Sequence, residues 1–557
     1  MKFQDMPYER VDYEKTEKNF REMTRKVINA GRPEEVWTVH QKYYQTVKDV
    51  SDAMTIAHIR HDGDVTDTFY EQEQAYYDEI SPKILQLLNE YQRALYESPY
   101  RAFMEEKIGK VAFATIENEL KSMDRSIIGL MQEENMLATE YNRLMASARI
   151  PFEGQELNLS LMRPYLTAQN RSMRRRAWQA YSAYFSSVEE KLDDIFDRLV
   201  KNRTHQARAL GYDNYVPLGY HRMNRNSYGK DEVENFRRQI KEGFVPLAER
   251  VHEKRRRRLG VERLSYIDND VYFQNGNPAP AGNPREILET GRRMYSQMSE
   301  ETKEFFDFMM DNQLFDVFGR KNKKQGGYMT YLYRYGAPFI FANFNGTSGD
   351  VDVITHECGH GFQGYLSGKD PVLEHSQITK DTAEIHSMSM EFFTDPWMKD
   401  FFGERGDDFL TMQLEAAVRF VPYGAMVDEF QHTVYEYPQM KPQERKREWS
   451  RLERVYMPHL DYEDDPFFSK GGYWQRQPHI YNNPFYYIDY VLAQTCAFQY
   501  KVWMNEDYRG AWNSYLKLCR LSAKRFYPDM LKEVGLKVPF DNGYFGGLIQ
   551  KLENMLE

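Results

Sequence analysis

The chain has 557 residues, of which 28% are charged, and a formal net charge of −10. Its length allows a large buried core and more than one domain, while its charge leaves no basic footprint for nucleic acid or an anionic membrane surface. Cys358, Cys496 and Cys519 are too few and too scattered for a disulfide framework, and no apolar run reaches the ~20 residues of a spanning helix or forms a signal peptide, so a cytoplasmic protein is expected.

The first 270 residues read mainly as helix. Phe20, Met23, Val27 and Ile28 follow helical spacing, Gly31 and Pro33 mark a stop and restart, and Val36, Val39, Tyr43 and Val47 resume the stripe. Pro7, Pro33, Pro82, Pro99 and Pro151 are the interruptions expected in this stretch. His58 and His61 in HIRHD, with Asp62, could mimic a metal site, but nothing else converges on them, and they read as surface or packing residues. The runs RRR at 174–176 and RRRR at 255–258 read as solvated helix faces rather than nucleic-acid contacts.

NGNPAPAGNPRE, residues 275–286, is dense enough in Gly and Pro to be a loop. Asn283, Pro284 and Glu286 then restart a helix with cap, N1 proline and first-turn acid. KNKKQGG, residues 321–327, is a second break. After it, YMTYLYRY and PFIFANF read as two short strands joined at Gly336 and Ala337, and the edge of PFIFANF is expected to be open to an extended peptide. Aromatic residues make up 15% of the chain, with 41 Tyr. They can pack helices, or line an internal surface that is both apolar and hydrogen-bonding; composition leaves both readings open.

VDVITHECGHGFQGYLSG, starting at Val351, carries His356, Glu357 and His360 as HExxH on a predicted helix closed by Gly368. With 13 His in the chain, about 0.03 such matches are expected by chance. On a helix the two imidazoles share a face and can reach one metal ion, while Glu357, rotated by about 100°, can approach a water at that ion. The bland alternative is a pair of core histidines bonded to backbone carbonyls. Gln363 and Leu366 stand where a metzincin carries Gly and His, which excludes that class. Cys358 is rotated from the ligand face and reads as a packing residue. Downstream, TKDTAEIHSMSMEFF reads as a second helix. Glu384 can be a third ligand or the N3 acid of a capping box with Asp381; in the first case Glu391, on the same face, can accept a hydrogen bond from a ligand histidine. His386 points away from that face.

HECGHGFQ, followed 24 residues after its second His by the Glu of DTAEIHSMSMEFF, resembles the oligoendopeptidase F branch of the thimet-oligopeptidase-like zinc metallopeptidases. NRTHQARALGYDNYVPLGYHRM, GAPFIFANFNGTSGDVDVITHE and HIYNNPFYYIDYVLAQTCAFQY are similar to segments of that family in the same order, covering roughly residues 200 to 500. The resemblance implies one Zn²⁺ per chain held by His356, His360 and Glu384, with Glu357 as general base. It also implies that His479 and a tyrosine of FYYIDY steady the reacting carbonyl, with Tyr490 first by alignment on YVLAQ and Tyr487, one turn earlier, next. More distant relatives carry His at the position of Gln363 and a glycine-rich loop in place of IYNNPF, which leaves Tyr481 and Tyr486 as alternatives.

The fold that follows is predominantly α, a large multi-helix metallopeptidase enclosing a deep substrate cavity, with a small β-sheet next to the zinc-binding helix. An N-terminal helical domain, 1–200, would cover the cleft of a catalytic domain, 201–557. The expected activity is hydrolysis of oligopeptides by an endopeptidase, without nucleic-acid or membrane partners. A zinc carboxypeptidase or dipeptidyl carboxypeptidase on a related scaffold, and a non-catalytic helical peptide-binding protein, are the alternatives.

Overall fold

The computed structural model describes residues 1–324 and 326–557. Helix accounts for 72% of the chain, so the fold is predominantly α. The residues gather into two compact units, each discontinuous in sequence. Met1–Leu120, Ala279–Gly406 and Trp503–Leu536 make the first; Lys121–Pro278, Asp407–Val502 and Lys537–Glu557 make the second. A cut at residue 200 would fall inside the helix Arg171–Ala209 of the second unit.

In the first unit, the helices Tyr13–Ile28, Pro33–Gly63 and Thr68–Tyr96 bury one stripe each. Phe20, Met23, Val27, Val36, Val39 and Tyr43 share a core with Tyr91 and Leu95. Ile28, predicted to belong to that stripe, is 64% exposed because the helix ends on it. Pro82 does not interrupt: the third helix runs through it. His58 and Asp62 form an ion pair at 3.1 Å, and Lys324 reaches the buried Asp62 carboxylate at the same distance, so HIRHD ties a helix to a loop.

Among the described residues, five strands form two small sheets. β1 (Ile150–Phe152) and β2 (Gln155–Leu157) are a hairpin in the second unit, turning at Glu153 and Gly154, both with positive φ. Pro151 hid it by reading as a helix break. β3 (Phe315–Phe318), β4 (Tyr328–Leu332) and β5 (Ala337–Phe344) form a sheet in the first unit, and KNKKQGG links its first two strands, with Gln325 outside the described residues. The order is β3-β5-β4, with β3 parallel and β4 antiparallel to β5. This corrects the expectation that PFIFANF has an open edge: β5 is the central strand and its backbone is paired on both sides. Its nearly continuous burial is the signature of that position.

The second unit corrects the reading of the arginine runs. Arg174 is buried 2.7 Å from Asp268, and Arg255, with no exposed surface, donates to the carbonyls of Asp268, Asn269 and Val271. Arg256 and Arg257 do lie outside, paired with Glu253. A charge run says nothing about which helix face meets a neighbour. The loop over 275–286 is observed as expected, and Asn283 caps the helix Pro284–Met298 with Glu286 returning to its N–H. Among the described residues no helix is long and apolar enough to cross a membrane.

Candidate active site

β5 leads into the HExxH segment, whose backbone differs from the single helix predicted. A short helical turn, Ser348–Asp352, passes into a π-helical turn, Val353–Glu357, and then into the helix Cys358–Ser367. His356 and Glu357 therefore sit on a wider turn than the residues after them, a distortion frequent at functional sites. Inside this turn the carbonyl of Ile354 accepts a hydrogen bond from the hydroxyl of the buried Tyr295 at 2.8 Å, which satisfies an oxygen in a stretch of irregular helix. His356 and His360 still face one another, with ring centroids 5.0 Å apart and planes at 83°.

The second helix, Lys380–Phe393, supplies the carboxylates. Its cap is Thr379 and its N3 residue is Thr382, so Glu384 is not the acid of a capping box; Asp381 instead accepts from the N–H of Thr382 and the hydroxyl of Thr379. Glu384 Oε2 lies 3.5 Å from Nε2 of His356 and 3.5 Å from Nε2 of His360, and it accepts a hydrogen bond from Ser387 at 3.0 Å. Glu391 accepts from Nδ1 of His356 at 2.6 Å. The two helices approach at Gly359, where a Cβ would meet Ser387 Cα at 2.7 Å and the His386 carbonyl at 2.8 Å. Any side chain there would push Glu384 away from the histidines.

The hydrogen bond to Glu391 fixes a proton of His356 on Nδ1, so Nε2, on the side of Glu384, is the nitrogen that a cation could take. Burial opposes charge on His356, but Glu384 and Glu391 outweigh it and raise the imidazole well above its ordinary value. Burial pulls Glu384 up; the two imidazoles overcome it and hold the carboxyl well below its usual range. The cluster thus stabilises positive charge between its members. The three candidate ligand atoms lie within 4.8 Å of one another, compatible with the roughly 3.3–3.6 Å spacing of tetrahedral ligands about 2.0–2.2 Å from zinc. The residues fit a zinc ion. Glu357 is partly exposed and takes no hydrogen bond from the described residues, so its carboxylate is available to water. His386 is fully buried and pushed down to about 3 by burial, with the charge of His360 second. Cys358 is buried beside Tyr295, and burial raises its thiol, as befits a packing residue.

The other expected residues gather in the second unit. His479, on the short helix Pro478–Asn482, meets Tyr487 nearly edge-on at 5.2 Å and Tyr490 at 5.8 Å, and Gln477 bonds its Nδ1 at 2.9 Å. All three rings are partly exposed. Tyr486 stacks loosely on Tyr490 at 4.7 Å, whereas Tyr481 is buried against Tyr141. Tyr481 thereby drops out as a donor to substrate.

With this geometry established, comparison with known proteins is decisive. The Peptidase M3 N-terminal domain matches residues 3–123, and Peptidase family M3 matches residues 165–280 and 294–542. The chain belongs to peptidase family M3. Among solved structures, PZ peptidase A bound to an inhibitor is 44% identical, with a TM-score of 0.95, covering 100% of this chain and 99% of that one. A provisionally named oligoendopeptidase F from Bacillus anthracis str. Ames is 40% identical, with a TM-score of 0.90, covering 100% and 98%. An oligoendopeptidase F homologue of Borreliella burgdorferi (strain ATCC 35210 / DSM 4680 / CIP 102532 / B31) is 21% identical over 566 residues, 94% of this chain and 88% of that protein. The resemblance to the oligoendopeptidase F branch is therefore shown, and this M3 chain is a peptidase.

Three residues of the M3 site escaped the sequence reading. Gly359 carried a signal, a glycine inside a helical pattern, which marks a close backbone approach. Ser387 and Tyr295 carried none, because each acts on a residue distant in sequence or on the far side of a turn.

Proposed function

We propose that this M3 peptidase is a zinc-dependent endopeptidase of short peptides, acting in the cytoplasm with one Zn²⁺ per chain held by His356, His360 and Glu384. The observation that carries the reading is the convergence of two imidazole Nε2 atoms on Glu384, with Glu391 orienting His356 from behind. Zinc in such a site lowers the pKa of water toward about 7 and polarises a carbonyl. Glu357, next to His356 in the π-helical turn, takes the proton of the attacking water and passes it to the departing amine. His479 and Tyr490, or Tyr487 in its place, donate to the carbonyl oxygen as negative charge grows on it, an interaction worth about 3–4 kcal/mol per donor in other enzymes. The names of the relatives support oligopeptides as substrates.

The test is mass spectrometry of the products of a mixed peptide library, half of it blocked at the C-terminus. Wild type should cut blocked and free peptides internally, chelator should abolish cutting, and Glu357→Gln should keep its metal while losing about 10²- to 10⁴-fold in rate, the usual contribution of a positioned base. Products confined to the C-termini of free peptides would make it an exopeptidase, and turnover retained by Glu357→Gln would remove the assigned base.

A further inference from the structure

Most buried arginines of the second unit are paired with carboxylates, and the fully buried Arg255 is held instead by three backbone carbonyls. Arg203, Arg225, Arg237 and Arg445 each have a carboxylate within 2.9 Å. Arg476 and Arg419 have no carboxylate within ion-pair distance among the described residues. Arg476 donates to the hydroxyl of Tyr473 and lies with its guanidinium carbon 3.7 Å from the centre of that ring. Arg419 donates to the hydroxyl of Tyr272 at 2.6 Å. The Nε of each is buried and has no hydrogen-bond partner. Asp270, exposed nearby, lends Arg476 its charge at a distance without forming an ion pair.

These two cations lie beside the cluster just assigned to the reacting carbonyl. Arg476 is followed by Gln477, which bonds both His479 and the hydroxyl of Tyr423. Tyr423 lies one helical turn after Arg419 and packs its ring edge-on against Tyr487 at 5.8 Å. Phe420, next to Arg419, meets both Tyr487 and Tyr490. Both side chains are partly exposed, so each guanidinium has a buried, unpartnered Nε and a side open to a ligand, and in a chain with ten more acidic than basic residues no carboxylate of the described residues pairs with either. The planar fork of donors of a guanidinium matches a carboxylate in shape and charge.

We propose that Arg476, assisted by Arg419, forms a carboxylate-recognition subsite beside His479, Tyr487 and Tyr490 that binds a carboxylate of the peptide substrate. The inference rests on the peptide-hydrolysing reading above and adds a substrate preference to it. The carboxylate is either the free C-terminus or an acidic side chain, and the two sources are separable.

The experiment compares kcat/KM for four versions of one cleavable peptide: free acid or C-terminal amide, each with Glu or Gln in the residue after the cut. Wild type should favour the carboxylate form in one of the two comparisons by about tenfold or more, mainly through KM, the scale of a charge-assisted hydrogen bond. In Arg476→Gln that ratio should fall to about one, and Arg476→Lys, which keeps the charge but loses the fork, should retain part of it. Arg419→Gln should lower the same ratio by less. A dependence on the terminal carboxylate identifies the C-terminus as ligand; a dependence on Glu identifies the side chain. A wild-type ratio near one in both comparisons, or a ratio left intact in Arg476→Gln while all four rates fall together, would overturn the subsite and leave Arg476 a structural residue. No cleavage of any of the four by wild type would count against the peptidase reading of the site.

Discussion

Two clusters in this chain share the same composition, two histidines and a glutamate, and differ in what their remaining ring atoms meet. His356, His360 and Glu384 lie in the first unit; His252, His459 and Glu249 lie in the second. In both, a glutamate anchors one Nδ1, Glu391 for His356 and Glu249 for His459. The resemblance stops there. His356 and His360 meet edge to face with Nε2 atoms converging on a carboxylate, whereas His252 and His459 are stacked, with centroids 3.2 Å apart and planes at 20°. His252 Nδ1 accepts a hydrogen bond from Arg255 at 3.2 Å. A guanidinium can only donate, so the proton of neutral His252 sits on Nε2 and closes that atom to a metal. The charges differ as well: Glu384 and Glu391 favour a cation in the first cluster, while Arg419 and Arg255 oppose one in the second. Fitness to hold a metal is thus set less by residue type and proximity than by which nitrogen is left with a lone pair and by the sign of the surrounding field.

The largest effect that tests this contrast is on metal content. His360→Ala should lose the bound metal and cut peptide hydrolysis by at least about a thousandfold, the scale of several kcal/mol of lost charge stabilisation. His459→Ala should still bind one metal per chain. Elemental analysis of both purified variants checks this, and a second metal in wild type that vanishes with His459 would break the comparison. A smaller effect is expected at the anchoring carboxylates. Glu391→Gln should weaken metal affinity about 10- to 100-fold, whereas Glu249→Gln should leave it unchanged, as read by competition with a chelating dye.

The smallest effect concerns pH. Burial first, and then the neighbouring positive charge, lowers His252 well below 6.5, and burial also lowers His459. Between the folded and unfolded values the unfolded chain binds more protons, so stability rises with pH there. The contribution is present above about pH 6.5 and is lost as pH falls below it. Thermal unfolding of the metal-loaded protein from pH 7.5 to 5.5 should show Tm falling, with a shallower slope in His252→Gln. An identical slope in that variant would place the acid sensitivity elsewhere.

What could be read from the residues followed from how local each signal was. HExxH announced itself because its two histidines stand four residues, about one helical turn, apart. The cap at Asn283 was equally legible, since Asn, Pro and Glu act within three residues of one another. Glu384 was ambiguous by spacing alone, because a capping acid and a metal ligand occupy the same position in a pattern. The observed cap at Thr379 removes the capping-box reading, and the 3.5 Å approaches to both histidines fit the ligand reading. Strand β5 was recognised as a strand but misjudged as an edge, because β3 pairs with it from across an intervening strand in sequence. The arginine runs failed for a related reason: Arg174 and Arg255 are spaced like their exposed neighbours, and partners some 13 to 94 residues away draw them inside.

By itself the sequence determined a mainly helical peptidase, the HExxH pair, the absence of a metzincin third ligand, and the order of segments that marks the oligoendopeptidase F branch. These are properties of short windows, where backbone periodicity fixes which side chains share a face. The tertiary structure decided the π-helical turn supported by Tyr295, the close helix approach at Gly359, the central place of β5, and the two arginines left without carboxylates. Each of these depends on atoms brought together from distant parts of the chain, where packing and electrostatic pairing, rather than spacing, choose the partner.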